Sequence, residues 1–337
     1  MPKAEDGRRL ISHSELSTFK ACRRKWYLGS YRELRQKRED EIGPLGLGTR
    51  VHIGLARYYD PSDPFSTEAA LEAYDRSVEE SRARMTKIDD ETGESVFTGD
   101  PDEFQKEAEL GRIMLQGYFE WVEEEGADID WEVVAAESKV RVPLEGIRTD
   151  SYDGIDLVGK LDLRIRRRSD GARFFVDHKT TGSLNDIPKW AHIAEQFKHY
   201  ALLEMLELGN EARTDGGIYN MLRKVKRTSR SNPPFYGRWE VRHNIHELRS
   251  YWLRTIRVVE EILTTEIELD EGGDPNYVCP PTPGGDCTWK CDFFAVCGMM
   301  DDGSDAEGFI EEMYEVGDMH ARYRQDDAGG DASKATH

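Results

Sequence analysis

The chain has 337 residues, 38% apolar and 33% charged, enough for one large domain or two modest ones with a sizeable core. Its formal net charge of −20 excludes a protein that coats nucleic acid through bulk charge. The sequence has no apolar run of membrane-span length, and MPKAEDGRRL lacks the apolar stretch of a signal peptide, so a cytoplasmic protein is expected. Positive charge is local: residues 8–38 hold ten Lys/Arg against two Glu, and LRKVKRTSR (222–230) holds five against none. Residues 301–337 hold eleven Asp/Glu against three Lys/Arg, which reads as an acidic, mobile tail containing a short helix.

In chain order, ISHSELSTFKACRRKWYL starts a helix with Ser12 or Ser14 as N-cap and places Cys22 on it or just beyond. A Gly/Pro-rich approach, GPLGLG, leads to a second helix from about Thr49 to Tyr59, with His52 beside its buried face. Residues 60–128 read as a charged helical insertion interrupted by the loop DDETGESVFTGDPD. Strands follow from Trp131, in DLVGKLDLRIRR and in ARFFVDHKT. Then come a helix over WAHIAEQFKHYALLEMLEL, a strand over GGIYNMLRK and a long helix over HELRSYWLRTIRVVEEILTTEIEL. Glu137, within the first of these strands, is open to two readings, surface carboxylate or participant in a site.

The strand ending in Asp177, His178 and Lys179 carries the first chemical signal. Side chains alternate faces with period two, so Asp177 and Lys179 share a face and His178 looks away. Asp170-Gly171 is a favoured two-residue hairpin turn. With that turn, Asp162 stands opposite Lys179, Asp177 opposite Arg164, and Ile165 opposite Val176 on the core face. Asp162 and Asp177 are then a diagonal pair, about 7–8 Å apart by Cα, close enough to share one divalent cation. Two carboxylates beside a lysine suit Mg²⁺ or Mn²⁺ and the hydrolysis of a phosphodiester; a cross-strand salt bridge on a solvated hairpin is the plain alternative. Gln196 and Tyr200, four residues apart on the following helix, project together, and His52 offers a further ligand.

Four of the five cysteines, Cys279, Cys287, Cys291 and Cys297, fall within 19 residues, and the chain reads as a metal binder rather than a disulfide framework. Cys287, Cys291 and Cys297 need a fourth thiolate, with Cys279 and Cys22 as candidates. Zinc and an iron-sulfur cluster both accept four thiolates.

Gly48 and His52 in GTRVHIG, Gly159 and Asp162 in GKLD, Asp177 and Lys179 in DHK, and Gln196 and Tyr200 in QFKHY occur in an order that resembles the PD-(D/E)XK nucleases of the RecB-like branch. The resemblance implies a restriction-endonuclease-like α/β fold, a central mixed sheet flanked by helices. It implies His52, Asp162, Asp177 and the backbone carbonyl of His178 around the metal, Lys179 as catalytic, and Gln196 and Tyr200 positioning DNA or Lys179. Cys22 before these motifs and Cys287, Cys291 and Cys297 after them are similar to the pattern in AddB-type nuclease domains and CRISPR-associated iron-sulfur exonucleases. There, four such cysteines hold a four-iron, four-sulfur cluster that joins the N- and C-terminal segments. Three residues separate Cys287 from Cys291 where the family more often has two, which keeps Cys279 in view as a ligand.

The expectation is therefore one nuclease domain over 1–300 and a tail over 301–337. The resemblance implies a Mg²⁺- or Mn²⁺-dependent DNA exonuclease acting on single-stranded ends, in recombination, repair or a CRISPR-like or phage setting. No GxxxxGK[ST] loop is present, so unwinding would need a helicase or recombination partner. Arg223, Lys224, Lys226 and Arg227 are candidate DNA contacts, with Phe235, Tyr236 or Trp239 for base stacking. The alternative is a cluster-stabilised DNA-binding or assembly subunit without catalysis.

Overall fold

A computed structural model describes residues 6–37, 41–88, 93–147, 149–209, 214–228 and 230–323. The chain forms β1 (Arg9–Ser12), α1 (His13–Ala21), α2 (Arg23–Trp26), β2 (Leu34–Gln36), α3 (Pro44–Tyr58) and α4 (Thr67–Arg84). It continues through β3 (Thr86–Ile88), β4 (Ser95–Phe97), α5 (Pro101–Glu125), β5 (Trp131–Pro143), β6 (Ile155–Arg167) and β7 (Arg173–Thr181). Then come α6 (Asp186–Trp190), α7 (Glu195–Leu208), β8 (Gly216–Arg223), β9 (Tyr236–Val241) and α8 (Ile245–Asp270). The last elements are α9 (Pro275–Val278), α10 (Cys287–Lys290), α11 (Phe294–Asp302), α12 (Ala306–Met313) and β10 (Tyr314–Val316). Contacts group these into two units, one of residues 1–36, 139–160 and 253–337, the other of 37–138 and 161–252.

The second unit is built on a mixed sheet. The latter half of β6 is antiparallel to β7, β7 is parallel to β8, and β8 is antiparallel to β9. One face carries Leu163, Ile165, Phe174, Val176, Ile218 and Leu222, and packs on Val51 and Leu55 of α3 and on Leu115 and Tyr118 of α5. On the opposite face Phe175 meets Phe197 of α7 edge-on, with ring centroids 4.9 Å apart. A Cβ at Gly217 would lie 2.3 Å from Phe175 and 2.6 Å from Phe197, so only glycine lets α7 settle here.

The β6–β7 register differs from the sequence expectation. Arg166 pairs with Arg173, Ile165 with Phe174 and Leu163 with Val176, because the loop is wider than a two-residue Asp-Gly turn. Extending the ladder one step sets Asp162 across from Asp177 rather than from Lys179. A slip of two residues preserves parity, so every side chain keeps its predicted face.

Other boundaries moved for local reasons. Helix α3 begins at Pro44, five residues before the expected Thr49. Pro44 occupies the first turn, where its missing N–H costs nothing, and Gly43 supplies the cap at φ 110°. The helix expected over 190–208 begins only at Glu195, as α7, and the short α6 ends at Trp190. Strand β4 occupies part of the expected acidic loop and pairs with β3, while residues 89–92 lie outside the described residues.

In the first unit β1 runs parallel to the start of β6, Arg9↔Ile155 through Ser12↔Val158. Ser12 caps α1, its Oγ accepting from the Glu15 amide at 3.3 Å. Arg9 is fully buried yet doubly paired, with Glu15 and with Glu266 at 2.8 Å, and Tyr152 and Trp26 donate to these carboxylates. Such a network is stable only because the two carboxylates share the one guanidinium and take further hydrogen bonds from neutral donors. Residues expected to lie in the mobile tail belong to this unit: β10 pairs with β2, and Tyr323 packs on Leu10 and Val158. Apolar Ile310, Tyr314 and Tyr323 anchor a segment whose acidic composition suggested otherwise; residues 324–337 lie outside the described residues.

Candidate active site

Three potential ligands converge in the second unit. One atom from each of His52 on α3, Glu137 on β5 and Asp162 on β6 lies within 4.8 Å of the others. His52 Nδ1 is 3.5 Å from Asp162 Oδ2, which also accepts the backbone N–H of His178 at 2.8 Å. On the neighbouring strand, Lys179 Nζ lies 3.0 Å from Asp177 Oδ1 and 2.8 Å from Oδ2. Gln196 Nε2 donates to Asp177 Oδ1 at 3.3 Å and to Tyr200 Oη at 3.0 Å, so the i, i+4 pair on α7 faces the carboxylate as its spacing predicts.

Glu137 is the residue whose role sequence reasoning left open. Its φ is 53°, a left-handed backbone that non-glycine residues adopt at a cost of about 1–2 kcal/mol. Inside a strand such a residue departs from the extended backbone on which two-residue alternation rests. Alternation therefore could not place Glu137.

The electrostatics follow from burial and proximity. Burial opposes a charge on His52, but the Asp162 carboxylate outweighs it and raises the imidazole pKa above its usual 6.5. Burial likewise disfavours the Asp162 charge, yet His52 and the His178 amide hold its pKa well below the carboxylate range. Asp177 stands above its usual value, because burial and the neighbouring Asp162 outweigh Lys179. Lys179 is held protonated: burial disfavours its charge, and Asp177 overcomes that. Two carboxylates displaced in opposite directions beside a fixed ammonium are a common signature of functional sites.

His178 turns away from Asp177, as expected, and supports the site from behind. Its ring is fully buried, pushed down to about 3 by desolvation, and stacks on Tyr59 with centroids 5.6 Å apart. Asn220 Oδ1 accepts from Arg238 at 3.2 Å, so Asn220 Nδ2 is the donor to His178 Nδ1 at 2.9 Å and the imidazole proton sits on Nε2. Tyr59, Tyr118 and Asp128 complete this buried network, with Tyr59 donating to Asp128 at 2.8 Å.

One imidazole with two or three carboxylates fits Mn²⁺ and Mg²⁺, which favour oxygen donors. Asp177 Oδ2 is buried, with the Lys179 ammonium at 2.8 Å as its only polar contact among the described residues.

Among the candidate DNA contacts, Lys226 pairs with Glu109 at 3.2 Å, Arg227 with Glu120 at 2.5 Å, and Arg223 donates to the Asn232 carbonyl. Lys224 follows β8 at the end of the sheet that carries Lys179, its amide bonded to Thr181, and its ammonium has no partner among the described residues. Trp239 is 45% exposed, whereas Tyr236 is 6% exposed and belongs to the core, so it does not offer a stacking face.

In the first unit Cys22 caps α2. Its sulfur accepts from the amides of Lys25 at 3.5 Å and Thr282 at 3.4 Å, and the Cys287 sulfur accepts from Gly284 at 3.3 Å. Cys22 interacts electrostatically with Cys279, Cys291 and Cys297, and Cys291 also with Cys287. Cys22, Cys287, Cys291 and Cys297 are partly exposed, whereas Cys279 is buried and desolvation pushes its thiol up to about 11.

No curated protein matches the chain. Among solved structures it is similar to one titled "Crystal structure of SSO0001", at 13% identity over 88% of both chains with a TM-score of 0.32, a likeness too slight to bear on the fold. The model of the PD-(D/E)XK nuclease superfamily matches residues 10–298, a span that runs from β1 to α11 and takes in both the carboxylate site and every cysteine. By that match, the chain belongs to the PD-(D/E)XK nuclease superfamily.

Proposed function

We propose that this protein is a RecB-like, metal-dependent deoxyribonuclease that hydrolyses DNA from single-stranded ends, in end processing or recombination. The observation that carries the reading is the convergence of His52, Glu137 and Asp162 within 4.8 Å, one strand from an Asp177–Lys179 pair at 2.8 Å. His52, Glu137, Asp162, Asp177 and the His178 carbonyl would hold Mg²⁺ or Mn²⁺. When bound, the metal supplies Lewis acidity to the scissile phosphate and to the attacking water.

The chain's own residues do the rest. Lys179, its side chain 32% exposed, keeps its proton, and its ammonium orients the water and balances negative charge developing on the phosphate. Gln196, braced by Tyr200, fixes the Asp177 carboxylate. Lys224, without a partner among the described residues and at the same end of the sheet, suits a backbone phosphate better than Lys226 and Arg227, which are paired to α5.

The cysteine site is proposed to hold a four-iron, four-sulfur cluster on Cys22, Cys287, Cys291 and Cys297. Among the described residues no three sulfurs lie within 4.8 Å of one another. A single tetrahedral zinc with bonds of about 2.3 Å needs sulfurs about 3.8 Å apart. Thiolates that each bind a different iron stand farther apart, and amide donors to sulfur favour the anionic ligand.

The test compares wild type with Asp177→Ala on end-labelled single- and double-stranded DNA, with Mn²⁺, Mg²⁺ or chelator. Shortening by the wild type alone, and only with metal, is expected, and the labelled end reports polarity. If folded wild type binds DNA without cutting it under any of these conditions, the non-catalytic subunit reading replaces this one.

A further inference from the structure

We propose that Tyr219 is a positioning residue of this site, its hydroxyl donating a hydrogen bond to the Asp177 carboxylate once a divalent cation is bound. The inference rests on the metal-site reading above. Asp177 and Tyr219 are Cα partners in the parallel β7–β8 ladder, so their side chains leave the same face of strands about 4.8 Å apart. Tyr219 is fully buried and wedged: its ring stacks on Phe197 with centroids 3.8 Å apart and planes at 15°, and Trp190 meets it edge-on at 6.0 Å. The ring cannot swing away without displacing α7, which Gly217 allows to sit directly on the sheet.

In that position the Tyr219 hydroxyl has no hydrogen-bond partner among the described residues. Asp177 Oδ2 has only the Lys179 ammonium, 2.8 Å away, as a partner among the described residues. An unmade hydrogen bond on a buried hydroxyl is costly, and packing alone would be served by phenylalanine, which fills the neighbouring positions 174, 175 and 197. A phenol keeps its proton at neutral pH, so Tyr219 is available as a donor. The need for that donor arises in the loaded site. Lys179 is then engaged with water and phosphate, and a cation that draws the Asp177 carboxylate off the ammonium leaves one of its oxygens free to accept from the hydroxyl across the ladder.

The isosteric Tyr219→Phe variant separates this role from packing, because the two predict opposite signs. In chelator, the variant is expected to melt no lower than wild type, since it loses only an unpaired hydroxyl. In calorimetric titration, Mn²⁺ is expected to bind about tenfold more weakly, the effect of one charge-assisted hydrogen bond. The Mn²⁺ concentration for half-maximal cleavage should rise in proportion, with the saturated rate within about twofold of wild type. Unchanged Mn²⁺ affinity overturns the proposal, as does a variant whose only defect is a lower melting temperature. Wild type that binds no Mn²⁺ overturns the metal-site reading itself, a result distinct from either.

Discussion

Replacing Glu137 with glutamine tests the residue that sequence reasoning left undecided. Ligand oxygens of Glu137 and Asp162 lie within 4.8 Å, so at an effective dielectric of about 20 two full charges repel by about 3.5 kcal/mol. Both side chains are partly solvated and His52 faces Asp162, which reduces the repulsion relieved by Glu137→Gln to about 1 kcal/mol. The metal-free variant sheds that repulsion together with the favourable interactions of the Glu137 carboxylate, so it should melt within about 2 °C of wild type. Its Mn²⁺ affinity should fall at least tenfold, about 1.4 kcal/mol, because a charged ligand is lost where even outer partners matter by ~10–100-fold. Differential scanning fluorimetry in chelator and calorimetric titration with Mn²⁺ read the two quantities separately. A variant with wild-type Mn²⁺ affinity would refute the placement of Glu137 in the metal site.

Metal binding should be pH-dependent with a definite sign. The imidazole of His52 must be neutral to ligate, and its pKa lies above 6.5, so Mn²⁺ affinity should fall about tenfold per pH unit as pH drops through that raised value. Without metal the sign for stability is opposite. The His52–Asp162 pair contributes fully below about pH 6.5, and the contribution is lost as pH rises through the folded-state value. Titrations at pH 6 to 8 check both, and His52→Asn should flatten the slopes. For the cysteines, Cys22→Ser should abolish iron and sulfide in anaerobically purified protein. Cys279→Ser should retain both and lose about 1–3 kcal/mol of stability, the cost of a hydroxyl in place of a fully buried thiol; iron loss from Cys279→Ser together with iron retention in Cys287→Ser would redraw the ligand set.

What was legible in the sequence is what covalent geometry dictates over a few residues. The two-residue period of a strand set Asp177 and Lys179 on one face and His178 on the other. The helical repeat set Gln196 beside Tyr200, and close spacing grouped Cys287, Cys291 and Cys297. These readings survived a misjudged hairpin, because a slip of two residues leaves strand parity intact.

What the tertiary structure decided is convergence across distance. His52 arrives from α3, which packs on the face of the sheet opposite α7, and no local periodicity could join it to Asp162. Glu137 reaches the site through a left-handed backbone that interrupts its strand's alternation. Tyr219 stands beside Asp177 only because β8 pairs with β7 in one register. Cys22 is brought among cysteines more than 250 residues later by the packing of the first unit. Local propensity depends on neighbours a few bonds away, whereas a site depends on which buried faces the whole chain brings together.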